Sequence, residues 1–517
     1  MPSPRMTPRA ALAVTLAVVV AALSAPAYAD SDHASRVTQS HAKDDHGSKE
    51  EKALQALASA TDALSGEGSQ DASMALLEVQ QTKADLPAAE QDRAEQLMLR
   101  PSDSGTAPAP EISYGTQTDE IDCTAHFCVH WVRTGKHMPD LTDSDNDEVP
   151  DYVELVESVM ENVWAREVGD LRYRRPLSDG AKDNPVGEGR TGLLDVYLGD
   201  TGASQVYGYA NIDEFTTRAA GFLVLDNDFA DFSGDPTESL KVTAAHEFFH
   251  TVQFAYATNE DPWFMESTAT FMEERVYDEI NDNRQYLRYS SLARPAQSLD
   301  ADGGAWYGNW IFFEHLGNRF GTDVVRQVWY RARTASVTST GALDAELRAR
   351  STSLAAAFVR FSADNTMPDK AYEEGAAYPN TAIAGTWHLD TATRTTRWRT
   401  FWLKHLASRS YNITPGTGMG ANWQVRIEIT APSYAARAHV VLHLTNGSVV
   451  QRPVALNSEG QATRRFVFDK NIVSRVTLTL ANGSARYRCW SGTQFSCEGT
   501  PLDEGRGFKY RATSQRG

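Results

Sequence analysis

The sequence is poor in cysteine and in long apolar runs, and it has no cluster of basic residues. After the first thirty residues, no apolar run in the 517-residue chain reaches the ~20 residues that a membrane-spanning helix requires. Lys and Arg number 49 against 68 Asp and Glu, so the net charge is −19. This charge argues against a nucleic-acid partner, because phosphate binding needs clustered cations. What remains is an ordinary globular composition and a length that predicts more than one domain.

The first thirty residues are typical of an exported protein. Arg5 and Arg9 precede an apolar run over 10–23, and a small-residue site, Ala-Tyr-Ala, follows at 27–29. A charged start, an apolar middle and a small-residue exit predict a signal peptide over residues 1–29. A membrane or lipid anchor is the alternative. We therefore expect a secreted, extracellular protein with no membrane association after cleavage.

The four cysteines form two close pairs, Cys123 with Cys128 and Cys489 with Cys497. An even count in an exported chain predicts disulfide bonds. Because the two short loops are far apart in sequence, we expect one bridge in each of two domains. A zinc site made of all four cysteines is the alternative, but the paired C-x-x-C spacing of such sites is absent.

Composition divides the rest of the chain into three parts. Residues 30–108 are rich in Ala, Glu, Gln and Asp, show helical periodicity and end in a Pro/Ser/Gly linker. They predict a helical pro-region removed on activation, or else a polar spacer or stalk. Strand-like runs followed by strong helices in residues 109–375 predict an α+β catalytic domain. Residues 385–517 alternate apolar and polar residues between Gly-containing turns, which predicts a C-terminal β-sandwich.

One helix of the predicted catalytic domain carries a metal-binding pattern. Asp235 and Pro236 are typical of a helix start. His246 and His250 follow four residues apart, so both project from one face of the helix. Two imidazoles in this arrangement bind Zn²⁺, and Glu247 between them can act as a base toward a water molecule. The alternative is a buried histidine pair satisfied by hydrogen bonds.

A second helix start, Asp261-Pro262, places Glu266 sixteen residues after His250. If the intervening loop returns the chain antiparallel, Glu266 completes a zinc site of two imidazoles and one carboxylate. Such a site leaves one position open, as catalytic zinc sites do. Thr270 and Glu273 lie on the same face as Glu266 and are predicted to hydrogen-bond the histidines and orient them. For Glu273 the alternative is a solvated helix face.

The HEFFH run and the later W-x-x-E-S-x-A segment at 263–269 resemble the gluzincin clan of zinc metallopeptidases, whose third ligand lies in W-x-x-E-G-x-A. The longer pattern AAHEFFHxVQF…WFMExTATFMEE is similar to a group of exported bacterial metalloproteases, over residues 109–335. Ser267 replaces the usual Gly, and the fifteen residues between His250 and Glu266 are fewer than in the best-known gluzincins.

This resemblance implies a zincin-like catalytic domain that hydrolyses peptide bonds of a protein or peptide substrate. It implies Glu247 as the general base and, by position, Tyr307 as the residue that stabilises the oxyanion. A packed aromatic at a helix entry is the alternative for Tyr307. The apolar run 221–225 just before the zinc helix is predicted to be the edge strand that pairs with extended substrate. A plain strand ending in a turn is the competing interpretation.

An acid-rich loop precedes a helix predicted to begin near residue 151. Its carboxylates occupy the first, third, fifth, ninth and twelfth ligand positions of an EF-hand loop, and the position that uses a backbone carbonyl falls on a valine. We predict structural Ca²⁺ held by Asp143, Asp145, Asp147, Val149, Asp151 and Glu154. Glu148 stands at the sixth position, where EF-hands have Gly, so we expect a variant turn. An acidic solvated turn that caps a helix is the alternative.

Three functions compete on this sequence. The first is a zinc-dependent peptidase, and the second is an exported adhesive or binding protein with a structural or vestigial zinc site. The third is a hydrolase of other carbonyl compounds. Glu247 argues against the second function, because a purely structural zinc site needs no base. Only the family resemblance argues against the third.

Overall fold

The structure is a computed structural model that describes residues 49–66, 72–103, 112–180, 192–334 and 337–517. The predicted signal peptide, the start of the predicted pro-region and residues 104–108 of its linker lie outside these ranges. Within them, no helix is long and apolar enough to cross a membrane.

Three helices form what we call the N-terminal segment, residues 49–103: α1 (Lys49–Leu64), α2 (Ala72–Thr82) and α3 (Ala88–Leu97). A continuous helical period from 75 to 99 is broken at Pro87, which directly precedes α3 and lacks the N–H that a helix interior needs. The small apolar faces of α1 and α2 pack together. They share one buried cluster with the sheet residues Tyr209, Phe222 and Val224.

The central sheet has five strands: β1 (Glu120–Cys123), β2 (Phe127–Trp131), β3 (Leu194–Gly199), β4 (Gly208–Ile212) and β5 (Gly221–Asp226). Their order is β1-β2-β3-β5-β4, with β2, β3 and β5 parallel and the two edge strands antiparallel. The expectation that residues 221–225 form an edge strand is therefore wrong, because β5 lies between β3 and β4. Its uninterrupted apolar run is typical of a strand covered on both faces.

Nine helices of the described chain follow the first hairpin or the sheet strands: α4 (Asp151–Trp164), α5 (Pro236–Phe254), α6 (Pro262–Val276), α7 (Gly304–Gly308), α8 (Trp310–Phe320), α9 (Val324–Ala332), α10 (Ser339–Ala349), α11 (Leu354–Asp364) and α12 (Pro368–Ala371). Helix α5 lies on β4 and β5 and packs against α4 and α6. Helices α7 and α8 are separated only by Asn309. The Asn309 side chain accepts from the Ser291 N–H and donates to the Leu299 carbonyl, which holds the break.

The two helix starts that carry the metal-binding pattern differ. The Asp235 carboxylate accepts hydrogen bonds from the N–H groups of Thr237 and Glu238, as a helix cap does. Asp261 also precedes its helix, but its carboxylate bonds the Ser339 hydroxyl and the Cys497 N–H instead. The Asp261 side chain therefore does not cap α6, although the helix starts where the sequence predicts. Helix α6 still begins here, because the fixed φ of proline suits the first helical turn.

The C-terminal region consists of strands: β6 (Ile383–Leu389), β7 (Arg399–Leu403), β8 (Ala407–Pro415), β9 (Trp423–Thr430), β10 (Ala436–Leu444), β11 (Val449–Val454), β12 (Gln461–Val467), β13 (Val473–Asn482), β14 (Tyr487–Arg488), β15 (Thr500–Pro501) and β16 (Arg506–Arg516). The larger sheets have the orders β11-β10-β13-β8-β6 and β12-β9-β16-β7. Residues of both sheets, such as Ile413, Leu478 and Tyr510, bury one shared apolar core. An α+β class with a C-terminal β-rich region is confirmed.

Both disulfide bonds form as predicted. Cys123 and Cys128 face each other across the β1–β2 hairpin. The loop closed by Cys489 and Cys497 reaches the helical part of the molecule, where the Ser496 N–H and hydroxyl donate to Asp300. The second bridge therefore holds a loop at the contact between the C-terminal strands and the helices.

Candidate metal centre

Helices α5 and α6 bring the predicted zinc ligands together. His246 and His250 project from α5 towards Glu266 on α6, and all three side chains are buried. The Nε2 atom of His246 lies 3.2 Å from one Glu266 carboxylate oxygen, and that of His250 lies 3.4 Å from the other. The chain thus returns antiparallel, and three ligand groups meet at one point.

Gln253 determines which nitrogen of His250 faces this point. Its Nε2 donates to the Met265 carbonyl at 2.9 Å, so its Oε1 is the atom 2.8 Å from Nδ1 of His250. An amide oxygen only accepts, and His250 therefore carries its proton on Nδ1. The lone pair of Nε2 is left to face Glu266. Gln253 lies three residues after His250 on the same helix, so its proximity was readable from the sequence, although we did not predict it.

Glu273 performs the same task for His246. Its carboxylate accepts from Nδ1 of His246 at 2.7 Å, which directs Nε2 towards Glu266. The predicted hydrogen bond between Glu273 and a histidine is therefore present, with the carboxylate as acceptor. Thr270 is buried, but its hydroxyl has no hydrogen-bond partner among the described residues. The prediction that Thr270 orients a histidine is wrong, because the contact to His250 belongs to Gln253.

The arrangement of these acceptors fits a zinc ion. Two imidazole lone pairs and a carboxylate converge in a buried place, which is unfavourable without positive charge between them. A tetrahedral zinc with Zn–N distances of ~2.0–2.1 Å separates neighbouring ligand atoms by about 3.3 Å, and the observed separations are 3.2 and 3.4 Å. Without a metal ion, a proton on the histidines has to supply this positive charge. Burial lowers the pKa of His246, but hydrogen bonds with Glu266 and Glu273 outweigh it and raise that pKa well above its usual value.

Glu247 lies beside the two histidines and is itself in contact with the N-terminal segment. Each of these three residues offers one ligand atom, and the three atoms lie within 4.8 Å of one another. The Ser73 hydroxyl of α2 donates to the Glu247 carboxylate at 2.9 Å and accepts from the Ala210 N–H of β4 at 2.9 Å. This contact joins residues 174 positions apart, and no sequence pattern indicated it.

A cavity of about 320 Å³ opens beside His246 and Glu247. Tyr307 lies in its wall, with its ring 5.9 Å from that of His246, and Tyr286 stacks on Tyr307 at 4.9 Å. The predicted oxyanion residue is therefore at the site, although its assigned role stays a prediction. Helices α1 and α2 contribute Ala63 and Ala72 to the lining of the same cavity.

The acid-rich loop brings three of its predicted calcium ligands together. Ligand atoms of Asp143, Asp145 and Asp147 lie within 4.8 Å of one another. Glu148, in the position of the EF-hand glycine, adopts φ 80°, the left-handed conformation that glycine favours. The backbone at this position thus has the conformation that glycine would favour, although a glutamate stands there.

The other predicted ligands of this loop are Asp151, Glu154 and Val149. The Asp151 carboxylate accepts from the N–H and hydroxyl of Ser144, which lowers its pKa. Slight burial and the charges of four loop aspartates raise the pKa of Glu154, which lies beside them on α4. Val149 donates its N–H to Asp147, and its carbonyl stays a predicted ligand.

Comparison with known proteins adds a family of unknown function. Residues 113–361 match the model of that family, DUF6055, a range that holds the zinc-ligand candidates and the acid-rich loop. No curated protein matches the chain. A solved family GH115 4-O-methyl-α-glucuronidase with specificity for decorated arabinogalactans matches with 11% identity and a TM-score of 0.13. The match covers 55% of this chain and 40% of the glucuronidase, and so low a score relates neither fold nor function. The chain is thus similar, over residues 113–361, to a family of unknown function.

Proposed function

We propose that this protein is a secreted zinc-dependent metallopeptidase with a zincin-like catalytic domain of the gluzincin type. The observation that carries the proposal is the buried convergence of His246, His250 and Glu266, with both histidine tautomers set by their partners. The adjoining cavity supports catalysis over a structural role, because structural zinc sites are closed. The predicted signal peptide and the two disulfide bonds support secretion.

His246, His250 and Glu266 would hold the zinc ion, which acts as a Lewis acid when bound. Glu247 acts as general base: its carboxylate takes a proton from the attacking water and returns it to the leaving amine. Glu273 and Gln253 keep the two imidazoles in the required tautomers. Tyr307 stands in the cavity wall as the candidate that hydrogen-bonds the oxyanion.

The N-terminal segment acts in this proposal as a pro-region. Its Ser73 hydroxyl donates a hydrogen bond to the proposed base Glu247, and Gln80 donates to the Ile212 carbonyl of β4 at 2.9 Å. Together with the Ser73 contact to Ala210, these bonds cover the edge strand that an extended substrate would need. Buried Arg100, paired with Asp179, Asp195 and Asp213, anchors the segment. Cleavage of the linker would therefore not release the segment by itself, since leaving buried carboxylates unpaired is costly.

The decisive experiment compares wild type with Glu247→Gln in the secreted, processed protein. We expect one zinc per chain in both, hydrolysis of casein or peptides by the wild type, and a loss of roughly 10²–10⁴-fold in the variant. His250→Ala is the control that loses the zinc as well as the activity. A zinc-loaded wild type that hydrolyses no protein or peptide would overturn the proposal.

We also propose that the acid-rich loop binds a structural calcium ion. Three carboxylates gathered in one exposed loop repel each other unless a cation lies between them. A chelator selective for calcium should therefore lower the melting temperature while the zinc content stays constant. Asp145→Asn should have a lower melting temperature with calcium and a smaller response to the chelator. An unchanged melting temperature after calcium removal in the wild type would refute the site.

A further inference from the structure

The cavity beside the metal centre is lined by negative charge. Three carboxylates, Glu247, Glu273 and Asp282, face it, and no Lys or Arg stands among its described lining residues. Glu247 is the proposed base and Glu273 holds His246. Asp282 is the carboxylate in this wall that neither metal binding nor proton transfer uses.

Asp282 begins a short 3₁₀ helix, Asp282–Tyr289, and is partly withdrawn from solvent. Its carboxylate accepts a hydrogen bond from the Gln285 side chain at 2.8 Å. No Lys or Arg forms an ion pair with it in the described part of the chain. Burial raises its pKa, which the Gln285 hydrogen bond opposes. A half-buried carboxylate with a neutral partner keeps the capacity to pair with a cation.

Aromatic rings line the same wall. Tyr286 stacks on Tyr307. Tyr207 also lines the cavity, and its pKa is raised by burial and by the nearby charge of Asp282. Tyrosine faces attract ammonium and guanidinium groups through the ring quadrupole, and more strongly where water is excluded. Carboxylate and aromatic faces together are therefore complementary to an organic cation, and they disfavour an acidic group.

We propose that this cavity binds a positively charged group of the substrate close to the scissile bond, with Asp282 as its counter-ion. The inference rests on the proposed peptidase function and names its substrate class. The cation is an ammonium or guanidinium group, from a Lys or Arg side chain or from the substrate's N-terminus. In the N-terminal segment's present position, Ala63 and Ala72 line the same cavity, so we expect a substrate to enter once α1 and α2 have moved.

The test measures kcat/KM of the processed, zinc-loaded protein on matched peptides that differ by Arg against citrulline, its neutral counterpart. Each peptide is prepared with a free and with an acetylated N-terminus. We expect the wild type to prefer the cationic member of a pair by roughly 10- to 100-fold, the range of a hydrogen-bonded charge. In Asp282→Asn the ratio should fall towards one. In Asp278→Asn, which removes an exposed charge of the adjoining loop, the ratio should stay at its wild-type value.

The outcomes separate this inference from the function on which it rests. A preference for Arg over citrulline that persists in the acetylated pair assigns the cation to the side chain, whereas a preference for the free over the acetylated N-terminus in the citrulline peptides assigns it to the N-terminus. Cleavage with equal kcat/KM for charged and neutral peptides, or a preference undiminished in Asp282→Asn, would overturn the inference and leave the peptidase intact. If the wild type cleaves no peptide, the proposed function itself fails. The comparison within the wild type needs no variant to fold.

Discussion

The two histidines of the candidate centre donate their Nδ1 protons to hydrogen-bond partners of different charge. Gln253 offers His250 a neutral amide, whereas Glu273 offers His246 a carboxylate. A carboxylate partner makes the imidazole a better ligand, and removal of such a partner typically costs 10- to 100-fold in metal affinity. The free energy that Glu273 contributes should therefore appear in zinc binding more than in folding.

We predict that Glu273→Gln lowers zinc affinity about 10- to 100-fold, measured by competition with a chromophoric chelator. The control is Glu274→Gln, a neighbouring buried carboxylate that bonds Asn283 rather than a histidine. Zinc affinity of the control should equal that of the wild type. Equal losses in the two variants would show that buried charge in α6, and not contact with His246, determines the affinity.

Helix α2 and edge strand β4 are joined by two hydrogen bonds that side chains of α2 make. Ser73 accepts from the Ala210 N–H, and Gln80 donates to the Ile212 carbonyl. Each hydrogen bond contributes about 0.5–1.5 kcal/mol. Loss of both therefore favours the undocked segment by about 1–3 kcal/mol, or roughly 5- to 150-fold in population.

We predict that the double variant Ser73→Ala, Gln80→Ala raises the peptidase activity of the unprocessed chain within this range. Limited proteolysis should also cut its N-terminal segment faster. Gln81→Ala is the matched control, because Gln81 lies on the same helix and donates to the Thr258 carbonyl outside β4. Should activity before processing stay at the wild-type level in the double variant, α2 does not restrain the site.

The helical part and the C-terminal strands are joined by a charge cluster around the buried pair His405 and Asp300. His405 lies between Asp300, at 2.9 Å, and Glu504, at 2.7 Å. Burial lowers the pKa of His405, but hydrogen bonds with Asp300 and Glu504 outweigh it and raise the pKa to about 9. Since the unfolded value is ~6.5, the folded state binds the proton more tightly. The resulting stability is fully present below pH ~6.5 and is lost as the pH rises through about 9.

We predict that His405→Gln lowers the free energy of unfolding most below pH ~6.5, by roughly 3 kcal/mol at the upper limit. The difference from wild type should shrink as the pH approaches about 9. Urea unfolding at several pH values measures it. His388→Gln, which alters an exposed histidine of β6, serves as the control with a small difference at every pH. A difference for His405→Gln that does not change with pH would refute the charge cluster.

Local patterns were sufficient for the elements that depend on local chemistry. The spacing of His246 and His250 specifies one helix face, Asp235 marks the helix start, and the two cysteines of each bridge are only 5 and 8 residues apart in sequence. Two-residue periodicity identified the C-terminal strands, because each strand buries one face.

The tertiary structure alone decided which distant groups meet. Strand order placed β4 at the sheet edge and β5 inside it, since hydrogen-bond pairing is a long-range choice that an apolar run does not encode. The Asp261 carboxylate accepts hydrogen bonds from Ser339 and Cys497 instead of capping its own helix. The Ser73 hydroxyl donates to Glu247, which lies 174 residues further along the chain. The sequence by itself determined which residue types are the candidate ligands and which helices carry them. Packing decided what orients those ligands, what covers the base and which charge lines the cavity, because these depend on contacts between elements far apart in the chain.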